Sequence, residues 1–241
     1  MTLRTRIKIC GLTREQDVDA AVAAGADAVG FVMFDGSPRC VSPARAAELA
    51  RRLPPFVTPV LLFVNESAAN IEAAAAAIGN AVIQFHGDES PAECLAATHQ
   101  GASPFLRAAR IPLDEATPFD LLKFASDYSS AQAILLDAHV DGYGGGGKAF
   151  NWSRIPASSE PASPSGMAGG LRHLVLSGGL TSANVTDGIV QVRPRCQTLA
   201  VDVSSGVEVD APGGGTLKGI KDAIKIHQFV AAVRAADRLL A

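Results

Sequence analysis

Cys10 and Asp137 are the residues whose types and positions best suit general acid–base chemistry. The stretch Arg6-Ile7-Lys8-Ile9-Cys10-Gly11-Leu12-Thr13 reads as a strand running into a tight turn and then a helix. Ile7 and Ile9 share one face, and Lys8 and Cys10 share the other. Gly11 permits the sharp turn. Thr13 and Gln16 have capping-box spacing, which predicts a helix starting just after Thr13. A thiol is thereby held between a strand end and a helix start. Asp137 ends another apolar run, Leu135-Leu136-Asp137. A thiol and a carboxyl facing one another can take a proton from carbon and give one to a nearby oxygen, each step worth about 10²–10⁴-fold. A free thiol titrates near about pH 8.5, so only a small fraction is thiolate at neutrality; a helix start or a cation raises that fraction. The plainer readings are a small buried hydrophobe for Cys10 and a helix cap or loop ion pair for Asp137.

Other polar residues are weighed beside them. By parity Lys8 points the same way as Cys10 and, if buried, needs a partner. Asp202 on the last apolar run is the expected one, and the lysine charge is expected to lower the Cys10 pKa. Arg39, in Ser37-Pro38-Arg39, is either an ordinary surface charge or a fork for a carboxylate. His86, in Gln84-Phe85-His86-Gly87, reads as a structural histidine with a general base as the sharper alternative, and His139 is weaker still. The run Asp141-Gly142-Tyr143-Gly144-Gly145-Gly146-Gly147-Lys148 is glycine-rich, but Ala149 follows the lysine. It is not a nucleotide loop and reads as an active-site flap.

These residues need a scaffold to position them. Apolar runs begin near Arg6, Ala28, Pro59, Ala81, Pro104, Gln132, Arg172 and Thr198, with helical patterns between. Eight strand–helix units in 241 residues match a closed (β/α)8 barrel, a TIM barrel and single domain, better than an open sheet. Helix starts are expected at Ser42-Pro43, at Ser67, at the capping box Ser90-Pro91-Ala92-Glu93 and at Thr181, with a final helix over 219–240. Residues 157–170, rich in Ser, Pro, Gly and Ala, read as a flexible insertion, and Pro212-Gly213-Gly214-Gly215 as a similar one.

In such barrels function collects at the carboxyl ends of the strands. Seven of the eight predicted ends carry polar or titratable groups, which a purely structural barrel does not need. The last two ends are Leu176-Ser177-Gly178-Gly179 and Asp202-Val203-Ser204-Ser205-Gly206. Their backbone N–H groups and hydroxyls predict a phosphate site at Gly178, Gly179, Ser204, Ser205 and Gly206.

Bulk properties exclude several classes. Net charge is −3, and no basic field exists for nucleic acid or an anionic membrane. Cys10, Cys40, Cys94 and Cys196 are widely spaced, which argues against a zinc or disulfide framework and for a reducing compartment. No His and carboxylate cluster has metal spacing. No apolar run approaches the length of a membrane span, and no apolar stretch follows the early arginines, so a cytoplasmic chain is expected.

In order along nearly the whole chain, the motifs named above resemble phosphoribosylanthranilate isomerases of tryptophan biosynthesis. The shared stretches include Lys8 to Thr13, Gly30-Phe31-Val32-Met33-Phe34, Phe63-Val64-Asn65, Gln84 to Gly87, Leu136-Asp137, Ser177-Gly178-Gly179, Asp202 to Glu208 and Gly219-Ile220-Lys221-Asp222. The resemblance implies a cofactor-free (β/α)8 barrel that performs an Amadori rearrangement of N-(5-phosphoribosyl)anthranilate. It implies Cys10 as general base, Asp137 as general acid, Arg39 as ligand of the anthranilate carboxylate, and the two glycine-bearing loops as phosphate cradle. A monomer or homodimer is expected, with a domain of a multifunctional tryptophan-pathway enzyme as the other arrangement. Two departures stand out: Gly146 replaces the family's usual threonine in the flap, and extra length lies at 157–170 and around Gly213. The runner-up, the related isomerase of histidine synthesis, resembles a barrel with aspartate where Cys10 stands. A non-catalytic phosphate-binding barrel is the third reading.

Overall fold

The computed structural model describes residues 4–139, 149–157 and 171–240. Eight parallel strands close into a barrel in sequence order. They are β1 (Arg6–Cys10), β2 (Ala28–Val32), β3 (Thr58–Phe63), β4 (Val82–Phe85), β5 (Phe105–Pro112), β6 (Ala133–His139), β7 (His173–Leu176) and β8 (Thr198–Val203). Each begins within one residue of its predicted start. Between them run α1 (Glu15–Ala24), α2 (Pro43–Ala50), α3 (Ala68–Ile78), α4 (Pro91–Ala97), α5 (Leu121–Asp127) and α6 (Val185–Val192), and α7 (Ala223–Leu239) follows β8. The expected flap at 141–148 and residues 158–170 of the expected insertion lie outside the described residues.

The main core lies between barrel and helices, because outward strand residues such as Ile7, Ile9, Phe31, Phe63, Phe85 and Val201 are fully buried there. The inward set obeys the two-residue period. Ala108, Leu135 and Val175 pack together as a lower interior layer. Above them the interior turns polar, with Lys8 on β1, Gln84 on β4, Asp137 on β6, Ser177 just after β7 and Asp202 on β8.

Several predicted caps are present. Ser42, Ser67 and Ser90 each accept a backbone N–H of their helix, and Ser90 with Glu93 forms the reciprocal box. Two caps are displaced. Thr13 does not cap α1: its hydroxyl donates to Gly219 O at 2.7 Å, and Arg14 holds the N-cap position without a side-chain bond. A long-range contact has won over the local one. Thr181 likewise precedes the helix, whose N-cap is Asn184. The long terminal helix is shorter than predicted, because Thr216–Lys221 is a strand and Asp222 caps α7.

That strand, β10, pairs antiparallel with β9 (Glu208–Asp210). The glycine-rich patch at 212–215 is therefore a hairpin turn, closed by Ala211 N–H to Gly215 O at 3.0 Å and Gly214 N–H to Ala211 O at 3.0 Å. Strand five also runs further than expected. It passes Arg107, which points outward, donates to Phe85 O and Gly87 O, and lies 4.8 Å from the Tyr128 ring centroid. The arginine in register with Asp137 is Arg110, which pairs with Asp88.

Candidate active site

β1 and β8 pair with Lys8 opposite Asp202, which puts both side chains on the inner face. They form the expected ion pair, with Nζ to Oδ1 at 2.9 Å, and Ser177 Oγ donates to the other carboxylate oxygen at 3.2 Å. Both charges are buried, so each needs the other. Cys10 sits one step above Lys8 and is buried. Gly30 is opposite Cys10 on β2. A Cβ at Gly30 would stand 2.7 Å from the Cys10 sulfur and 3.0 Å from Lys8 Nζ. The thiol and the ammonium thus occupy space that glycine leaves open. Cys10 also packs with Val32, Leu62, Val64 and Phe34, an apolar wall at the mouth.

The electrostatics of Cys10 differ from the sequence expectation. Burial pushes its pKa up, Lys8 pulls it down and Asp202 pushes it up again; the net direction is above the ordinary thiol value. Lys8 does act as expected, but desolvation exceeds it. Lys8 itself is raised: burial disfavours its charge, while Asp202 and Cys10 together outweigh that.

Asp137 lies at the mouth on β6, three strands round the barrel from Cys10. Its Oδ1 accepts Ala138 N–H at 2.8 Å and its Oδ2 lies 3.0 Å from His86 Nε2. Gln84 Nε2 stands 3.0 Å from His86 Nδ1. With the amide nitrogen facing it, Nδ1 is the acceptor and Nε2 carries the proton toward Asp137. Asp137 therefore meets two donors, one at each oxygen. Gly178, with φ of 79°, lets the loop after β7 lie against this carboxyl: a Cβ there would be 2.9 Å from Asp137 Oδ1 and 2.8 Å from Ala138 N.

Arg39 is partly engaged within the chain. Its Nε and Nη2 donate to Glu208 at 2.6 and 2.8 Å, in a pair that is buried on both sides. The fork expected to face a substrate carboxylate is occupied by Glu208, leaving Nη1 outside that pair. Glu208 also accepts Gly219 N–H at 2.9 Å, the Thr216 hydroxyl at 2.9 Å and Lys221 Nζ at 3.3 Å. Burial pushes Glu208 up, but Arg39 and Lys221 outweigh it and hold the carboxyl at about 2. Lys221 is lowered to about 8, by burial first and by the Arg39 charge, against the pull of Glu208. It donates to Ser204 O at 2.9 Å and Ser204 Oγ at 3.3 Å, so it props the loop after β8.

Ser205 and Gly206 form a short 3-10 turn there. A Cβ at Gly206 would fall 1.9 Å from Leu180 O, so glycine is required for the loops after β7 and β8 to touch. Gly178 and Gly179 both have positive φ in the facing loop. The predicted cradle residues are thus adjacent. His139, expected past the strand end, is the exposed last residue of β6. Among the described residues no cluster of three or more His, Cys, Asp or Glu could hold a metal ion.

The contacts of His86 with Asp137 and of Glu208 with Arg39 were not foreseen. Parity on β4 placed Gln84 and His86 on one face and was the available signal for the first. The second spans 169 residues and has no local signal.

Comparison with known proteins gives the lineage of this arrangement. A family profile described as N-(5'phosphoribosyl)anthranilate (PRA) isomerase matches residues 7–232. The N-(5'-phosphoribosyl)anthranilate isomerase of Methylibium petroleiphilum is 58% identical over 240 residues, covering 99% of this chain and 98% of its own. The phosphoribosyl anthranilate isomerase of Thermotoga maritima superposes with a TM-score of 0.77 at 35% identity, covering 96% of this chain and 99% of that one. A similar solved structure (TM-score 0.73, 33% identity, 96% and 99% coverage) is a phosphoribosyl anthranilate isomerase in complex with reduced 1-(o-carboxyphenylamino)-1-deoxyribulose 5-phosphate. With its closed barrel and a profile match over most of its length, this chain belongs to the phosphoribosylanthranilate isomerase family.

Proposed function

We propose that the barrel mouth converts N-(5-phosphoribosyl)anthranilate to 1-(2-carboxyphenylamino)-1-deoxyribulose 5-phosphate, with Asp137 as general acid and Cys10 as general base. The observation that carries this reading is an inward thiol and an inward hydrogen-bonded carboxyl at one barrel mouth, in a chain of this family. Asp137 gives its proton to the ring oxygen as the C1′–O bond breaks, and the anilino nitrogen lone pair forms the Schiff base. Both oxygens of the resulting carboxylate already face donors, Ala138 N–H and His86. Cys10, as thiolate, then takes the C2′ proton, and the electrons flow into the C=N bond to give an enolamine. The enolamine tautomerises to the ketone. The raised Cys10 pKa means the thiolate is scarce but strongly basic; Lys8, beside it, stabilises the anion.

The substrate is held at three places. Its phosphate lies against the backbone and hydroxyls of Gly178, Gly179, Ser204, Ser205 and Gly206. Its aromatic ring lies on Val32, Leu62, Val64 and Phe34. Its carboxylate receives Arg39, through the nitrogen that Glu208 leaves over. No cofactor or metal is assigned a role. The reading places this chemistry on a single (β/α)8 domain over 1–241, acting in the cytoplasm as monomer or homodimer. No helix among the described residues is long and apolar enough to cross a membrane. The test is complementation of a tryptophan auxotroph lacking the isomerase. Growth without tryptophan is expected, and failure of a well-expressed chain to restore it contradicts the reading.

A further inference from the structure

The β9–β10 hairpin carries the extra length around Gly213, and it lies beside the loops after β7 and β8. A cavity of about 320 Å³ is bounded by Gly179 from the loop after β7, by Ser205 and Gly206 from the loop after β8, and by Lys218 and Lys225 from the hairpin and α7. Three of the five predicted cradle residues therefore share one cavity with two lysines. Lys225 is committed: its Nζ donates to Glu208 O at 3.0 Å and pairs with Asp210 at 2.6 Å. Lys221, nearby, is buried against Ser204 and Glu208. Lys218 is exposed, and no ion pair joins it to another described residue. We propose that Lys218, carried on the β9–β10 hairpin, is a binding residue for the substrate's 5-phosphate, supplying the cation that the backbone cradle lacks. The proposal rests on the isomerase reading.

The chemistry favours this assignment. A phosphate monoester carries about −1.5 to −2 charge at neutrality, while the loops after β7 and β8 offer it only N–H and hydroxyl dipoles. A lysine supplies a compact point charge on a flexible stem, able to reach across a cavity and release its ligand again. The hairpin that bears it is pinned at both ends. Thr216 Oγ1 and Gly219 N–H both donate to Glu208, so Lys218 lies between two anchored residues. Glu208 in turn holds Arg39, so the same carboxylate anchors the elements proposed to receive both anionic ends of the substrate.

The test compares wild type, Lys218→Ala and Lys218→Arg at low ionic strength. It reads kcat, KM for N-(5-phosphoribosyl)anthranilate, the inhibition constant of inorganic phosphate, and phosphate binding to the unliganded enzyme by calorimetry. Lys218→Ala is expected to raise KM and to weaken phosphate inhibition and binding, each by about tenfold, the scale of one charge-assisted contact. It should leave kcat within about twofold, because the contact is made equally in ground and transition states. Lys218→Arg should stay near wild type. Unchanged KM and phosphate affinity in Lys218→Ala overturn the proposal while wild-type turnover leaves the isomerase reading standing. Absence of wild-type turnover removes the isomerase reading, and phosphate calorimetry then decides Lys218 independently.

Discussion

Cys10 is a residue at which burial and charge oppose one another. Lys8 favours the thiolate, yet desolvation wins, and the free enzyme holds a protonated thiol at neutral pH. The base must be unprotonated to act and the acid protonated, so the thiol is read in Asp137→Asn, which removes the acid's titration: the residual kcat/KM of that variant is expected to rise as pH climbs from about 7 to about 9. A pH–rate profile that is flat or falling over that range would count against thiolate as the base. His86 is the second residue of interest. Its Nε2 lies 3.0 Å from Asp137, and Gln84 fixes its other nitrogen. His86→Ala is expected to lower kcat by about tenfold to a hundredfold with a much smaller change in KM, as loss of support for the acid in the transition state predicts. Equal kcat in the variant would assign the histidine to packing alone.

At the scale of elements, glycine and register decide where side chains fit. Gly30 on β2 leaves the space that Cys10 and Lys8 fill. Gly30→Ala is expected to displace the sulfur, lowering kcat by about tenfold or more while circular dichroism stays unchanged; full activity would show that the thiol has room to spare. Much of this was legible in the sequence. All eight strand starts lay within one residue of their predicted places, because each strand is a short apolar run with a clear turn signal before it. Caps made by a residue's own neighbours, at Ser42, Ser67 and Ser90, were legible for the same reason. Thr13 was not, because its best partner, Gly219 O, is 206 positions away. The β9–β10 hairpin was hidden because Thr216–Lys221 alternates weakly and its pairing partner carries only three residues.

At the scale of the whole molecule, two of the buried ionic groups lie at the site, and one of them was legible. Parity and strand order predicted Lys8–Asp202. The Arg39–Glu208–Lys221 group joins the loop after β2 to the hairpin and β10, and only tertiary packing brings these together. Its Glu208 is held at about 2, below the ordinary value of 4.5. The folded state therefore binds fewer protons than the unfolded chain in that window. This contribution is fully present above about pH 4.5 and is lost as pH falls toward about 2, a difference of about 3 kcal/mol at most. Urea midpoints measured across that range are expected to fall more steeply for wild type than for Glu208→Gln; parallel slopes would show that the group does not link pH to folding.

The central claim is that one thiol and one carboxyl carry the proton transfers. Its most direct measurement is steady-state loss of anthranilate fluorescence as N-(5-phosphoribosyl)anthranilate is consumed, for wild type, Cys10→Ser and Asp137→Asn. Turnover by wild type is expected, with kcat reduced by about 10²-fold or more in each folded variant. Near-wild-type kcat in either variant would contradict the role assigned to that residue.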